Sequence, residues 1–207
     1  MEKIAKEILF ETSIFKFQIK LQNKEEIIKI IKNKYSKNPY LMPKYWNCNI
    51  HSSFTKKGGD YFLNDISHVI MKKFNLIKEN FDINYGNYLI KNIWYNVYDK
   101  NQYQEIHDHG DSFYSGVYYL KISKCHNGTI FCNPNHLINF SKVEKNEKFV
   151  KSIDIEEEDL IFFPSYLRHG VLPSKECEDL RITISFNIIN DYLDQDSYTK
   201  KTHIIYY

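Results

Sequence analysis

From about residue 88 to residue 190 the apolar residues recur with a period of 2, and this constrains the fold more than any other feature of the chain. The runs IWYNVY, YQEIHDH, YSGVYYLKI, GTIFC, KFVKSIDI, DLIFF, RHGVL and LRITISFNII follow one another, separated by turn-rich pieces such as DKNQ, CHNG and PSKECED. Eight short strands with no helix between them predict an antiparallel double-sheet jelly roll. Upstream, ILFETSIFKFQIKL (8–21) alternates well enough for one more strand. The period then becomes helical over 23–35, where Asn23 and Glu26 form a capping box and Ile27, Ile30, Ile31 and Tyr35 a stripe. A loop containing Pro39, Pro43, Gly58 and Gly59 leads to a second amphipathic helix, roughly 61–78, with the stripe Phe62, Ile66, Val69, Ile70 and Phe74. The expected class is mainly β with α elaboration, the helices packed on one sheet. The expected organisation is one domain over 1–207: a strand and helical buttress to 86, a jelly-roll core over 87–190 and an extension over 191–207. The Lys/Glu stretch at 142–148 reads as a solvated loop.

Composition narrows the function classes. The balance of 28 Lys plus Arg against 26 Asp plus Glu gives a formal charge of +2, too little for a broad field toward nucleic acid or anionic membrane. No nucleic acid partner is expected. No apolar run is long enough for a bilayer span or a signal peptide, so a cytoplasmic protein without a membrane partner is expected. Cys48, Cys125, Cys132 and Cys177 form no paired motif and read as reduced thiols. Oligomeric state is not legible at this level.

The chemistry concentrates in EIHDHGDSFYSGVYYL. His107, His109 and Asp111 alternate, so in an extended chain all three side chains share one face. A third histidine, His169, opens the seventh run after FFPSYLR, and strands two and seven of a jelly roll are neighbours. Two close ligands plus one distant histidine is the layout of the non-haem iron facial triad, which leaves coordination positions free. Structural zinc would need a fourth ligand, which the cysteines are not placed to give. Arg181, twelve residues past His169, shares a face of the last strand with Thr183 and Ser185. A buried guanidinium is costly without an anion, and its fork suits a carboxylate. The bland alternative is an ion pair with Asp154 or Asp159. His51, His68, His126, His136 and His203 read as ordinary core or surface residues.

In the order and spacing of LFETSIF, IWYNVYDKNQYQEIHDH, SGVYYLKI, GTIFCNP, DLIFFPSYLRHGV and RITISFN, the chain resembles the 2-oxoglutarate- and Fe(II)-dependent oxygenases, in particular small bacterial and phage-encoded ones with a histidine-x-histidine motif leading into SGVYYL. The resemblance implies a double-stranded β-helix, Fe(II), 2-oxoglutarate as co-substrate and O2. It also implies oxidative decarboxylation to succinate and CO2 coupled to hydroxylation of a small-molecule or peptide substrate. The resemblance further implies His107 at the first ligand position, since Tyr98 precedes it by nine residues as in prolyl-hydroxylase-like relatives, with His169 as the far ligand. Tyr98 would lie near the metal-binding end of the co-substrate, and Arg181, helped by Thr183 and Tyr119, would hold the distal carboxylate. Two ligand sets stay open. One is His107, His109 and His169 with Asp111 beside them; the other takes His109 and Asp111 as the common histidine-x-aspartate pair, with His107 behind it. Two other function classes stay open as well: a cupin-like isomerase using its metal as a Lewis acid, which needs no Arg181, and a non-catalytic binding protein.

Overall fold

The computed structural model describes residues 11–54, 60–81, 83, 86–135 and 149–191. The start of the expected first strand, Gly58 and Gly59, His136, the Lys/Glu stretch at 142–148 and the extension beyond Asp191 lie outside them. The described elements are β1 (Phe15–Gln18), α1 (Lys24–Lys37), β2 (His51–Ser52), a 3-10 turn (Tyr61–Leu63), α2 (Asn64–Asn80), β3 (Tyr88–Tyr98), β4 (Gln104–His107), β5 (Tyr114–Lys121), β6 (Thr129–Cys132), β7 (Val150–Ser152), β8 (Asp159–Pro164), β9 (His169–Val171) and β10 (Arg181–Asn190). All eight core strands coincide with the runs of period 2. With β1 and β2 they divide into a six-stranded sheet, β1-β8-β5-β10-β3-β2, and a four-stranded sheet, β4-β9-β6-β7. Every pairing is antiparallel, the jelly-roll arrangement expected.

The larger sheet is buried on both faces, and alternation along its strands decides which residue goes where. Tyr118 and Leu120 of β5, Leu160 and Phe162 of β8, and Ile182, Ile184, Phe186 and Ile188 of β10 pack with Ile27 and Ile31 of α1 and Ile66, Ile70 and Phe74 of α2. The opposite face looks into the space between the sheets, where Val117, Tyr119, Ile161 and Phe163 meet Phe131. On β10 that inner face carries Arg181, Thr183, Ser185 and Asn187, all buried. A row of buried polar groups is expensive unless each finds a partner. Asn96 donates to Ser185 Oγ at 3.1 Å and Ser115 to Asn187 Oδ1 at 2.9 Å, which leaves Arg181 Nε as the buried side-chain atom of this row without a partner among the described residues.

Three expectations fail. Asn23 makes no capping bond, because its side-chain amide donates instead to Asp65 Oδ2 at 3.2 Å, tying α1 to α2. The buried set of α1 is Ile27, Ile28 and Ile31, with Ile30 and Tyr35 only partly covered. The cysteines are not all reduced: Cys125 and Cys177 form a disulfide between the turn after β5 and the loop before β10. Their separation of 52 residues concealed the pair, yet folding brings their Cα atoms to 5.5 Å, inside the range a disulfide requires. Cys48 and Cys132 are free and buried. Strand β2 was not anticipated, being only two residues long. It carries His51, whose ring bonds Asn38 O and the Tyr95 hydroxyl, a satisfied core histidine. Among the described residues, no helix is long and apolar enough to cross a membrane.

Candidate metal centre

Strands β4 and β9 are neighbours, with His107 opposite His169 in register. Gly170 permits this approach: a Cβ there would stand 3.0 Å from the carbonyl oxygen of Gln104 and 3.2 Å from that of Glu105. β4 stops at His107, and the chain then turns, Ser112 N donating to His109 O at 2.9 Å. His109 thus reaches the same point from a turn and not from the extended face that its spacing suggested. One ligand atom from each of His107, His109 and His169 lies within 4.8 Å of the other two. Asp111 is carried away by the turn. Its carboxylate is 72% exposed and accepts from Lys91 Nζ at 2.8 Å and Ser112 Oγ at 3.1 Å. The Lys91 hydrogen bond holds that carboxyl below its ordinary pKa.

The imidazoles are oriented by backbone. Nδ1 of His107 lies 2.8 Å from Glu105 O, and Nδ1 of His169 lies 2.9 Å from Leu167 O. Each carbonyl selects the tautomer with the proton on Nδ1, leaving the Nε2 lone pair free. A second-shell carbonyl on the far nitrogen is the usual partner of a metal-binding histidine. His109 has the Trp94 ring at 6.1 Å and the His169 ring at 5.2 Å. Burial lowers its pKa to about 4, with the adjacent His107 adding to the effect. Burial likewise pushes His169 well below the ordinary histidine value, helped by His107 and His109. Three imidazoles with converging ring nitrogens fit a divalent cation held by nitrogen and leave room for exchangeable ligands.

The same cavity ends at Arg181, 1% exposed. Its Nη1 donates to Asn127 O at 2.6 Å, while its guanidinium lies 4.9 Å from the Tyr98 ring centroid and 5.4 Å from that of Tyr119. Neither Asp154 nor Asp159 pairs with it; Lys16 reaches Asp159 at 3.3 Å instead. Thr183 lines the cavity beside it. Burial raises the pKa of both tyrosines, so their phenols keep their protons. Among the described residues three buried side-chain atoms lack a partner: Trp94 Nε1, Asn96 Oδ1 and Arg181 Nε. All three residues line this one cavity. Unpaired buried polar groups are rare, and their coincidence here means that the cavity is shaped for a polar ligand.

Residues 92–187, which contain every residue of this cavity from Asn96 to Ser185, match the family described as "Putative 2OG-Fe(II) oxygenase". Over this core the chain is similar to the 2OG-Fe(II) oxygenases. A search of curated proteins finds no match. Solved structures agree on the fold. A prolyl-4-hydroxylase from Pseudomonas putida superposes with a TM-score of 0.60 at 10% identity, covering 86% of this chain and 93% of that one. A prolyl hydroxylase from Trichoplax adhaerens, in complex with a hypoxia inducible factor peptide, gives 0.58 at 16% identity, with 92% and 87% covered. The α-ketoglutarate-dependent carbocyclase SnoK from nogalamycin biosynthesis gives 0.61 at 7% identity, with 87% and 80% covered. One fold thus serves different oxidative outcomes.

Within this core, two residues escaped the sequence reading. Trp94 and Asn96 alternate with Tyr98 on the inner face of β3, while Tyr95 and Val97 between them join the helix-facing core. The signal was present as two polar-tipped side chains in register with Tyr98, just upstream of the histidines.

Proposed function

We propose that residues 1–207 form a single-domain Fe(II)- and 2-oxoglutarate-dependent dioxygenase, with His107, His109 and His169 as the iron ligands and Arg181 as the anchor of the co-substrate's distal carboxylate. The observation that carries this reading is the single cavity with a three-imidazole cluster at one end, a buried guanidinium whose Nε has no acceptor at the other, and every unpartnered buried polar side-chain atom among the described residues on its walls. A dicarboxylate with a keto group between metal and arginine supplies acceptors for Arg181 Nε and Trp94 Nε1, both donors, and bound water supplies a donor for Asn96 Oδ1.

When bound, iron with 2-oxoglutarate and O2 supplies the oxidising power that yields succinate and CO2 and attacks a C–H bond of the substrate. The protein's part is orientation. Arg181 fixes the far carboxylate with a planar fork that a lysine lacks. Tyr98 and Tyr119, kept protonated by burial, meet a carboxylate only as donors, and the Tyr119 hydroxyl is held at 2.7 Å from Thr129 Oγ1. Glu105 O and Leu167 O keep two imidazoles in the ligating tautomer. Hydroxylation of a small molecule or peptide is the outcome proposed.

Anaerobic addition of Fe(II) and then 2-oxoglutarate to the purified chain tests the reading. The expected result is a weak visible absorption band that appears only with both, followed by slow succinate formation on admitting O2. If neither the band nor succinate appears, the dioxygenase assignment falls.

A further inference from the structure

His107 and His169 each have a ring nitrogen tied to a backbone carbonyl, but among the described residues neither ring nitrogen of His109 has a hydrogen-bond partner. The position of His109 then comes from ring contacts with Trp94, His107 and His169 and from its backbone, whose N–H is held by a residue of another segment. Ser165 O accepts the His109 N–H at 2.9 Å, and Ser165 N–H donates to Phe113 O at 3.2 Å, so Ser165 grips both ends of the turn that carries His109. Ser165 itself is 0% exposed and sits in the turn leading from β8 to His169. Its hydroxyl lies 2.8 Å from Ser115 Oγ on β5, and the Ser115 hydroxyl donates to Asn187 Oδ1 on β10 at 2.9 Å. Since the Ser115 proton goes to Asn187, Ser165 must be the donor to Ser115. The result is a directional chain, Ser165 to Ser115 to Asn187, across three segments, with Ser115 1% and Asn187 3% exposed.

We propose that Ser165, Ser115 and Asn187 form a positioning unit that sets metal affinity by fixing His109 relative to His169. Every hydroxyl proton in the chain is used, so it specifies one placement of Ser165 where an apolar contact would tolerate several. The turn bearing one ligand and the turn preceding another are thereby registered to the larger sheet, though the ligands flank the smaller one. The inference rests on the metal-centre reading and on no step of the oxygen chemistry.

The test uses Co(II) as probe, titrated to millimolar concentration and read by its visible absorption in the full chain. Ser165→Ala and Ser115→Ala are each expected to weaken Co(II) binding about 10 to 100-fold, the range for a residue acting through a ligand. Tyr118→Phe is the control. It removes a buried hydrogen bond of 2.9 Å to Ile19 O on the helix-facing side, and it should lower melting temperature without moving Co(II) affinity. The deciding comparison repeats Ser165→Ala and Ser115→Ala in a His109→Ala background, where the loss should shrink to less than about threefold because the group being positioned is gone. Should Ser165→Ala fail to fold, Ser115→Ala carries the test alone. Equal losses in the two backgrounds, or unchanged affinity in the single variants, overturn the proposal while leaving the metal centre standing. A wild-type chain that binds no Co(II) overturns the metal-centre reading, and the inference with it.

Discussion

The two ends of the cavity are built by different means. At the metal end, His107 closes a four-residue strand, His169 opens a three-residue one, and His109 lies in a turn, so backbone carbonyls and amides set the geometry. At the anchor end, Arg181 opens a ten-residue strand of the larger sheet, covered by two tyrosine rings and a carbonyl. The end proposed for the metal gathers three imidazoles; the end proposed for the anchor holds a buried guanidinium. One end is thus specified by local backbone chemistry and the other by the register of long strands. Damage at either should therefore be separable from damage at the other.

The largest expected effects test that separation. His169→Ala should abolish retention of Co(II) or Fe(II) at micromolar metal, measured by titration. Arg181→Ala should weaken 2-oxoglutarate binding by about 2 to 5 kcal/mol, roughly 30-fold to several thousand-fold, with Co(II) affinity unchanged. Partial rescue by Arg181→Lys is expected, since charge returns without the fork. If Arg181→Ala also strips the metal, the two ends are one cooperative unit and the comparison fails.

Next in size is the disulfide, which belongs to the anchor end alone. It joins the loop whose Asn127 carbonyl holds Arg181 to the loop that leads into Arg181, and Asn127 is also bonded to Pro173 O and Ser174 Oγ. Opening it should cost about 2 to 4 kcal/mol of stability by the chain-entropy argument, read as a lower melting temperature in reductant. A comparable loss of Co(II) affinity would contradict the division.

The metal end should respond to acid. His109 and His169 titrate lower in the folded chain than in the unfolded one, so below the ordinary histidine pKa of about 6.5 the unfolded state binds more protons. Stability of the metal-free chain should fall by about 1 to 3 kcal/mol as pH drops from 6.5 toward 4. Thermal melts across that range check it; a flat profile would mean that the imidazoles are not desolvated as described.

The smallest effect concerns Asp111. An exposed pair such as Lys91–Asp111 contributes about 0.2 to 1 kcal/mol, so Asp111→Ala should change stability little and Co(II) affinity less than about tenfold. If the variant empties the site, the histidine-x-aspartate alternative replaces the three-histidine set.

Most of the frame was legible because period 2 survives in every core strand, and the meeting of His107 with His169 followed from jelly-roll adjacency. What escaped was set by tertiary contact. Asn23 gives its side chain to Asp65 on the other helix, a choice that no local pattern records. Cys125 and Cys177 are distant in sequence and joined only by the folding of two loops. Spacing alone put His109 on a strand, whereas the strand ends at His107, and the turn that follows at Gly110 carries Asp111 toward Lys91. Trp94 and Asn96 passed as ordinary strand residues because an unsatisfied atom is visible only once its surroundings are known.

Gly170 bears on the site in a way unrelated to chain flexibility. It supplies no atom to the metal cluster, yet the strand that carries His169 can lie this close to the strand that carries His107 only while nothing projects from it toward Gln104 and Glu105. A single methyl group would act as a shim, and any widening it caused between the strands would be passed on to the gap between the two imidazoles proposed as ligands. The bore of the proposed site, and with it the range of ionic radii it would accept, is gauged by the absence of a side chain.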